Sequence, residues 1–355
     1  MTGRTWAVIA AGALGVLAAA VSSEPVRPPP LLLTLSPPHG ISSSVVVLEG
    51  NAQVAEWPEL SHAPDGQPRG VVLGAGSAAV VVEQVQRADP SWSAGLWVLG
   101  PGGHRQRADR VYPGVRPVAL PRGELAVPRG RFGPVPAEGA YRVDLLSVDA
   151  VAASGTAAPR TLWEGAGFLA LPIGVSRGEL LVYVPGPAAQ PLLAVSVETR
   201  RVRTVAADLP LARDFSLAAD GRLYFTQQGG LGPDDWRVRV IDVASGTRRE
   251  LPGAGGHLAL LPWAASGGVL VQLDAVGNAA WRDGAEGKRR CRLGPGVDAW
   301  RASSADGLWM AGLHEAPSEF PRAVLAEVHG GAHASLPVPR EVRPEVLGFL
   351  EGGAP

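Results

Sequence analysis

The chain has 355 residues, a formal net charge of −1 and a single cysteine, Cys291. A charge this close to zero provides no basic field for nucleic acid or for an anionic membrane surface. One cysteine excludes an intrachain disulfide and any metal site that needs several cysteines. The 46 Gly and 33 Pro are spread among short apolar runs, which is typical of many short strands separated by many turns.

The N-terminal segment has the pattern of an export signal. Arg4 precedes an apolar run from Trp6 to Val21, and two serines follow it. The run is shorter than the roughly 20 residues that span a bilayer. We therefore predict a signal peptide over residues 1–23 and a proline-rich spacer over residues 24–30, and we expect a periplasmic or extracellular protein. The alternative is an uncleaved segment that anchors the protein to the membrane.

A turn that ends in glycine and leads into an apolar strand recurs along the rest of the chain. The turn glycines are Gly76, Gly123, Gly178, Gly221, Gly268 and Gly307, which lie 39 to 55 residues apart. Blades of four strands in β-propellers take about 40 to 50 residues each. We therefore predict an all-β chain whose four-stranded units form a single β-propeller over residues 31–355.

The clearest unit shows how the four strands are arranged. An Asp-Gly pair at Asp220-Gly221 permits the positive φ of a tight turn between its first two strands. Its third strand alternates polar and apolar residues, which is the period of a half-buried strand. The four strands are predicted at Ala212–Leu217, Leu223–Gln227, Trp236–Val243 and Thr247–Leu251.

The two ends of the domain complement each other. Three predicted strands near the N-terminus lack a first strand, at Leu31–Leu35, Ser44–Leu48 and Ala52–Trp57, whereas Val346–Leu350 stands alone near the C-terminus. Together they would complete one more blade, and closure of the ring removes open sheet edges. Residues 31–350 allow about 46 residues for each of seven blades. We predict seven blades, with six as the alternative.

Two segments resemble a known family. The stretch from Phe215 to Phe225, followed by Val238 to Leu251, resembles a blade of the TolB-type propellers of bacterial envelopes, and Ser304-Ala-Asp-Gly307 is a second match to the same turn. That family usually has Ser-Pro-Asp-Gly at this turn, and here alanine replaces the proline. The resemblance implies a propeller in the cell envelope. It transfers no active site, because such propellers mostly bind other proteins.

Two motifs with catalytic or metal-binding associations are better explained as turns. Gly174-Val-Ser-Arg-Gly178 matches the nucleophile elbow Gly-x-Ser-x-Gly, but a strand follows it where that chemistry requires a helix. His329 and His333 flank Gly330-Gly331, and a two-residue hairpin there would point the two imidazoles to opposite faces. We predict no catalytic residue, no metal and no cofactor.

The loops between the second and third strands of each unit are the longest connections, and they emerge on one side of a propeller. Long loops on a rigid scaffold are where binding usually occurs. The binding-face candidates are Trp92, Arg131, Phe132, Asp234, Asp235, Trp236, His314 and Phe320. We expect Trp92 and Phe320 to be exposed loop residues. Trp236 could equally be a core residue at the start of a strand.

The function predicted from these features is a non-catalytic, exported propeller scaffold. We expect a monomer that binds an envelope protein or polysaccharide, does not bind nucleic acid, and contacts the membrane only if its N-terminal segment is uncleaved. The alternative is a hydrolase or lyase of the cell envelope. Such enzymes gather His, Asp, Glu or Tyr toward the channel, and the seven His and four Tyr of this chain show no repeated placement.

Overall fold

The structure is a computed structural model that describes most of the chain between residues 27 and 350. The described ranges are 27–37, 42–50, 52–61, 69–72, 79–86, 92–100, 103–111, 115–129, 139–154, 158–167, 169–230, 235–256, 262–265, 267–272, 279–283, 289–293, 297, 299–304, 306–314, 321–328, 333–338 and 341–350. The predicted signal peptide lies outside the described residues.

In this part of the chain, 28 strands form seven four-stranded antiparallel sheets. The first sheet contains β28 (Arg343–Phe349), β1 (Leu31–Ser36), β2 (Ser42–Glu49) and β3 (Ala52–Ser61). The second contains β4 (Arg69–Val72), β5 (Ala79–Gln86), β6 (Trp92–Gly100) and β7 (Gly103–Val111). The third contains β8 (Val118–Leu120), β9 (Glu124–Arg129), β10 (Gly139–Ser147) and β11 (Arg160–Gly167).

The other four sheets follow in chain order. The fourth contains β12 (Leu171–Ser176), β13 (Glu179–Tyr183), β14 (Leu192–Ser196) and β15 (Val202–Ala206). The fifth contains β16 (Ala212–Leu217), β17 (Arg222–Gln228), β18 (Trp236–Asp242) and β19 (Arg248–Gly256). The sixth contains β20 (Pro262–Ala265), β21 (Gly268–Gln272), β22 (Ala279–Asp283) and β23 (Arg289–Leu293). The seventh contains β24 (Ala299–Ser303), β25 (Trp309–His314), β26 (Arg322–Glu327) and β27 (His333–Pro337).

The first strand of each sheet contacts the first strand of the next. These contacts run from β4 through β8, β12, β16 and β20 to β24, and β28 contacts both β24 and β4. Within the first sheet, β1 pairs with β28 in a register that places Leu31 opposite Phe349 and Leu33 opposite Val346. The predicted pairing of the two ends of the domain is therefore observed. This arrangement is a β-propeller, as the repeat predicted.

The core lies between neighbouring sheets, because each sheet is buried on both faces. Leu31 and Leu33 pack in one cluster with Trp309 of the seventh sheet, whereas Leu32 packs with Trp97 of the second sheet. Successive residues of a strand face opposite sides, so a sheet that is covered on both sides needs a continuous apolar run. Burying one such side chain fully contributes about 1.5–3 kcal/mol.

The repeated glycines mark the turns between the first and second strands. Gly123, Gly178, Gly221 and Gly307 have φ values between 68° and 87°, a left-handed conformation that favours glycine. In the sixth sheet the residue with positive φ is Gly267, at 73°, and the predicted Gly268 instead begins β21. Gly76 lies outside the described residues.

One short helix was not expected in the all-β chain. Helix α1 spans Val148–Ser154 and follows β10 directly. Its Val148 and Val151 are buried in a cluster with Leu96 and Val98 of β6. Seven residues are two turns of helix, too few for a periodic pattern to be recognised in the sequence. No helix in the described part of the chain is long and apolar enough to cross a membrane.

Candidate functional site

A cleft of about 210 Å³ lies between the fourth and fifth sheets, at the end where the first strand of each sheet turns into the second. We call it the inter-sheet cleft. Its lining comes from the turns of both sheets and from two strands of the fourth. The described residues that line it are Ser176, Arg177, Glu179, Arg203, Asp220, Gly221, Asp242, Val243 and Ala244.

The fourth sheet contributes the hairpin between β12 and β13. Ser176 pairs with Glu179, and the two residues between them, Arg177 and Gly178, have φ values of 51° and 78°. Two successive positive φ values are typical of a two-residue hairpin turn. The interpretation of the Gly-x-Ser-x-Gly match as a turn is therefore confirmed. Ser176 is 8% exposed, whereas Arg177 next to it is exposed to solvent.

The fifth sheet contributes the Asp-Gly turn between β16 and β17. The Gly221 amide donates to the carbonyl of Ala218 at 3.0 Å, and Asp220 Oδ1 accepts a hydrogen bond from the backbone amide of Arg222 at 3.0 Å. A Cβ on Gly221 would lie 3.3 Å from Ser176 Oγ. The Ser176 hydroxyl therefore points across the cleft toward this glycine.

The turn between β18 and β19 completes the lining. Asp242 Oδ1 accepts hydrogen bonds from the backbone amide of Ser245 at 2.8 Å and from its hydroxyl at 2.9 Å. In the same turn, Gly246 has φ of 72°, and a Cβ there would lie 2.8 Å from the carbonyl oxygen of Val205 in β15. The absence of a side chain at Gly246 therefore allows the fifth sheet to approach the fourth closely.

An arginine connects the two sheets along one wall of the cleft. Arg203 Nη2 lies 2.6 Å from Glu179 Oε2, and its Nε donates to the same carboxylate at 3.0 and 3.1 Å. Its Nη1 donates to the carbonyl of Val243 in the fifth sheet at 3.0 Å. The hydrogen bonds to Glu179 raise the pKa of Arg203 above its ordinary value. Arg203 is thus a charged bridge between the sheets, and each of its three guanidinium nitrogens makes a hydrogen bond.

Local hydrogen bonds keep two of the cleft carboxylates ionised. The pKa of Asp242 is lowered by the hydrogen bonds from Ser245, and the charge of Arg177 adds to this effect. Burial acts in the opposite direction on Asp220, but hydrogen bonds from Arg222 and its charge outweigh it and lower the pKa of Asp220. Both aspartates therefore carry a full negative charge at neutral pH.

Two polar groups of the cleft have no hydrogen-bond partner within the part of the chain that the structure describes. The Ser176 hydroxyl makes no hydrogen bond there, although the residue is more than nine-tenths buried. The Arg177 side chain makes no hydrogen bond there either, but its charge interacts with that of Asp242. The Ser176 Oγ is not one of the buried side-chain atoms without a hydrogen-bond partner in the described part of the chain, so solvent reaches it in the cleft. A ligand that enters the cleft can hydrogen-bond to this hydroxyl in place of water.

The described lining residues of the cleft are mostly polar or charged. Its described residues include no histidine, cysteine or tyrosine, so Ser176 has no adjacent base of the kind that activates a nucleophile. Across the described ranges, no group of three or more His, Cys, Asp or Glu side chains is placed to hold a metal ion. In the cleft, Arg203, Arg222 and Ser245 already occupy the carboxylate oxygens.

The binding face predicted from the sequence lies largely outside the described residues. Arg131, Phe132, Asp234 and Phe320 are all in that category. Trp92 was predicted to lie in a loop, and this placement is wrong, because it is the first residue of β6 and pairs with Gln86 of β5. The ladder between β5 and β6 includes Ser93 and begins at Trp92, directly after the Pro90-Ser91 pair that suggested a loop.

The remaining candidates lie at the end of the sheets opposite the inter-sheet cleft. Asp235 Oδ1 accepts a hydrogen bond from Arg237 Nε at 2.7 Å, and His314 is the half-buried last residue of β25. Trp236 is 9% exposed in the cluster between the fifth and sixth sheets. The guanidinium of Arg213 lies 3.7 Å from the centroid of its ring. Trp236 is therefore a core residue and not an exposed anchor.

The structure also changes the predicted hairpin between the two histidines. His333 pairs with Ala326, whereas a two-residue turn at Gly330-Gly331 would have placed it opposite Val328. The connection is longer than predicted, and β26 ends at Glu327, so His329 follows the strand. His329 itself lies outside the described residues.

Sequence reasoning singled out several cleft residues, but for other reasons. Ser176 and Arg177 were noted as part of an enzyme motif, and Asp220 was noted as a turn residue. Each segment ends in a glycine, Gly178 or Gly221. These glycines were the available signal that both segments are turns of the same kind. These residues are close together because of the way two sheets pack. A local sequence pattern carries no information about that packing.

No protein-family model and no curated protein matches the chain. Among solved structures, a prolyl endopeptidase is similar at 14% identity and a TM-score of 0.59, with 90% of this chain and 50% of that chain covered. Apo AztD from Citrobacter koseri is similar at 10% identity and a TM-score of 0.53, with 90% of this chain and 99% of that chain covered. The chain thus spans half of the endopeptidase and nearly all of AztD. At these identities the likeness shows the fold alone, which is that of a β-propeller protein.

TolB from Acinetobacter baumannii is also among the similar structures. The identity is 10%, the TM-score is 0.49, and 90% of this chain and 67% of that chain are covered. The resemblance to TolB-type propellers that two blades suggested is confirmed as a likeness at low identity.

Proposed function

We propose that the protein is a non-catalytic, exported, seven-bladed β-propeller that serves as a scaffold and binds a protein or polysaccharide of the cell envelope. The observation that carries the proposal is the inter-sheet cleft. It combines the Ser176 hydroxyl, which makes no hydrogen bond within the described ranges, with ionised carboxylates held by their own turns, and no histidine, cysteine or tyrosine lies among the described lining residues.

The blade count rests on the seven sheets and on their order. Each sheet has four strands. The first strands of successive sheets contact one another from β4 to β24, and β28 contacts both β24 and β4. A ring of seven blades would leave only short, protected sheet edges. The pairing of β1 with β28 would then hold the ring closed.

Export rests on the N-terminal sequence. The charge at Arg4 and the apolar run from Trp6 to Val21 are features of a secretory signal. N-terminal sequencing of the protein from an envelope fraction should give a start between about residues 19 and 24. An intact Met1 on membrane-bound protein would instead establish the anchored alternative.

Binding can be tested by affinity capture from envelope extract of the source organism. The immobilised, folded chain should retain one protein or polysaccharide saturably, and the purified partner should bind again on its own, whereas heat-unfolded chain should not retain it. A variant with Trp92→Ala and Phe320→Ala tests the end of the sheets with the long loops, and a variant with Ser176→Val tests the inter-sheet cleft. If no protein or polysaccharide fraction of the extract binds saturably to the immobilised chain, the scaffold function is refuted.

The second candidate function is hydrolysis, which the similarity to a prolyl endopeptidase favours. A hydrolase would cleave a proline-containing chromogenic peptide. The serine to examine is Ser176, the residue of the Gly-x-Ser-x-Gly match. Turnover that exceeds the background and is lost in Ser176→Ala would support the hydrolase and contradict the non-catalytic scaffold.

A further inference from the structure

We propose that the outermost strands of the second to sixth sheets form a basic surface that binds an acidic polysaccharide, one with a negatively charged group on most of its sugar units. We call this surface the basic rim. It consists of the strands β7, β11, β15, β19 and β23. The inference rests on the proposed scaffold function and its ring of blades, names the class of the partner, and concerns a surface apart from the inter-sheet cleft.

Positive charge is concentrated in the basic rim. Its five strands contain ten arginines and three acidic residues, whereas the whole chain has 32 basic and 33 acidic residues. Two of the strands, β7 and β23, contain three arginines each. The near-zero net charge of the chain therefore combines a basic rim with an acidic remainder, and a local excess of one sign attracts groups of the opposite sign.

Protection of sheet edges does not account for this sign. A charged residue or a proline keeps an outer strand from pairing with another chain, and either sign of charge serves. The outermost strand of the first sheet, β3, has Glu56, Pro58 and Glu59 and no arginine, and β27 of the seventh sheet has neither an arginine nor an acidic residue. These two sheets are neighbours, because β28 contacts β24. The five basic strands are therefore consecutive in the ring and not scattered around it.

Some arginines of the rim are neutralised by carboxylates of inner strands. Arg160 lies 3.4 Å from Glu124, and Arg203 lies 2.6 Å from Glu179. These two pairs reduce the positive charge of β11 and β15. The excess of arginine over acidic residues in the five strands is larger than this reduction, so the rim stays basic.

Other arginines at the rim are available to a ligand. Arg200 and Arg201 lead into β15, and Arg248 begins β19; all three are exposed to solvent. The side chains of Arg200 and Arg201 make no hydrogen bond or ion pair within the described ranges. Arg248 donates to the carbonyl of Asp208 at 3.5 Å, and a carbonyl satisfies a donor without neutralising its charge. Guanidinium groups bind carboxylates through paired hydrogen bonds.

The curvature of the rim selects a flexible polymer. The outermost strands of a propeller face away from its axis, and five blades of seven cover more than half of the ring. A planar membrane can contact only the few blades nearest to it, and the duplex of DNA is too stiff to follow so small a ring cheaply. A polysaccharide chain can follow the curve and present a charged group to one blade after another.

A protein partner matches the rim less well. Specific protein interfaces are built around a buried apolar or aromatic centre. The exposed large hydrophobic side chains of the described residues are Val54, Val202 and Leu211, and of these Val202 alone lies in a strand of the rim. A polymer with a charge on every unit needs no apolar centre, because its contacts are ion pairs.

Binding is measured by isothermal titration calorimetry on the folded full chain. The probe is polygalacturonate of about 20 units, and the matched control polymer is the same chain with its carboxylates methyl-esterified. We expect saturable binding of the charged polymer at low salt, at least about tenfold weaker when the salt rises from 50 to 300 mM, because salt screens exposed charges. The esterified polymer should show no saturable binding.

Two variants and a matched control locate the site. Arg200→Gln combined with Arg201→Gln should weaken polygalacturonate about fivefold, and Arg248→Gln should weaken it about twofold. The control, Arg301→Gln combined with Arg343→Gln, removes two exposed arginines from the innermost strands β24 and β28. It should leave the affinity unchanged. Because all five side chains are exposed, the melting temperatures should stay at the wild-type value.

The proposal is overturned if polygalacturonate does not bind saturably, if the esterified polymer binds as tightly, or if the control pair weakens binding as much as the rim pair. Tighter binding of poly-L-glutamate, single-stranded DNA or anionic lipid vesicles would also overturn it. Capture of an envelope partner without binding of polygalacturonate would leave the scaffold function standing and remove the basic rim. Loss of both would remove the two proposals together.

Discussion

Two turns of nearly the same sequence occur in different surroundings. Ala218-Ala-Asp-Gly221 joins β16 to β17 in the fifth sheet, and Ser304-Ala-Asp-Gly307 joins β24 to β25 in the seventh. In both, the glycine amide donates to the carbonyl of the residue three positions earlier, at 3.0 and 2.9 Å. The two turns therefore share this backbone hydrogen bond.

The two turns differ in where their hydroxyl comes from. In the seventh sheet, Ser304 Oγ accepts from the backbone amide of Trp309 at 2.9 Å and donates to Asp306 at 2.5 Å, so it is satisfied within its own turn. In the fifth sheet, alanine stands at that position, and the nearby hydroxyl is Ser176 of the neighbouring sheet. The hydroxyl of the seventh-sheet turn is hydrogen-bonded within that turn, whereas the fifth-sheet turn faces the inter-sheet cleft. The same local motif can therefore be structural in one blade and a binding candidate in another.

The largest expected effect comes from breaking the close approach that forms the cleft. Gly246→Ala would place a Cβ 2.8 Å from the Val205 carbonyl at a φ of 72°, so both backbone strain and a clash between sheets oppose it. We expect a loss of about 3 kcal/mol in the free energy of unfolding, measured by urea denaturation. Gly178→Ala is the matched control, because its φ is 78° and nothing lies within 4 Å. It should cost about 1 kcal/mol. Equal losses would contradict the close contact.

An intermediate effect is expected from opening the seventh-sheet turn. Ser304→Ala removes the acceptor of the buried Trp309 amide, and an unsatisfied buried donor costs about 1–3 kcal/mol. The adjacent Ser303→Ala should stay within about 0.5 kcal/mol of wild type. By contrast, Ser176→Ala should not destabilise the protein, because its hydroxyl satisfies nothing in the described part of the chain. A loss at Ser176 as large as that at Ser304 would show that the two turns do not differ in this way.

The smallest expected effect is a change in acid stability. The pKa of Asp220 is lower in the folded protein than its ordinary value of 3.8, so the folded state binds this proton less readily than the unfolded chain. The stabilisation by Arg222 is therefore present above about pH 3.8 and is lost as the pH falls through the lowered pKa. Because Asp220 is partly exposed, the contribution is about 0.5 kcal/mol. Asp220→Asn should flatten the acid side of a stability–pH profile between pH 2 and 5, and an unchanged profile would count against the ion pair.

Much of the fold could be predicted from local patterns. The alternation in β18 and the apolar run of β1 follow from the period of a strand and from burial on both faces. The Asp-Gly and Arg-Gly turns follow from the φ values that glycine permits. The spacing of those turns indicated four-stranded units, and the unpaired strands at each end of the domain predicted that β1 and β28 would meet.

Local patterns did less well where a boundary or an orientation depended on packing. Trp92 extended a ladder instead of lying in a loop, Trp236 joined a core cluster, and the seven residues of α1 were too few to show a period. In each case the deciding contacts come from a neighbouring strand or sheet. The amino-acid sequence on its own carries no signal for contacts of that kind.

The sequence by itself determined that the chain is built of strands, where its turns fall and that its ends pair, because each of these depends on residues close together in the chain or on a repeat. Only the tertiary structure decided that Ser176 and Arg177 face Asp220 and Asp242. These residues are 43 or more positions apart, and they meet because Gly246 allows two sheets to approach closely while Arg203 bonds across them. A cleft between blades is a property of how the blades pack, and no single blade contains it.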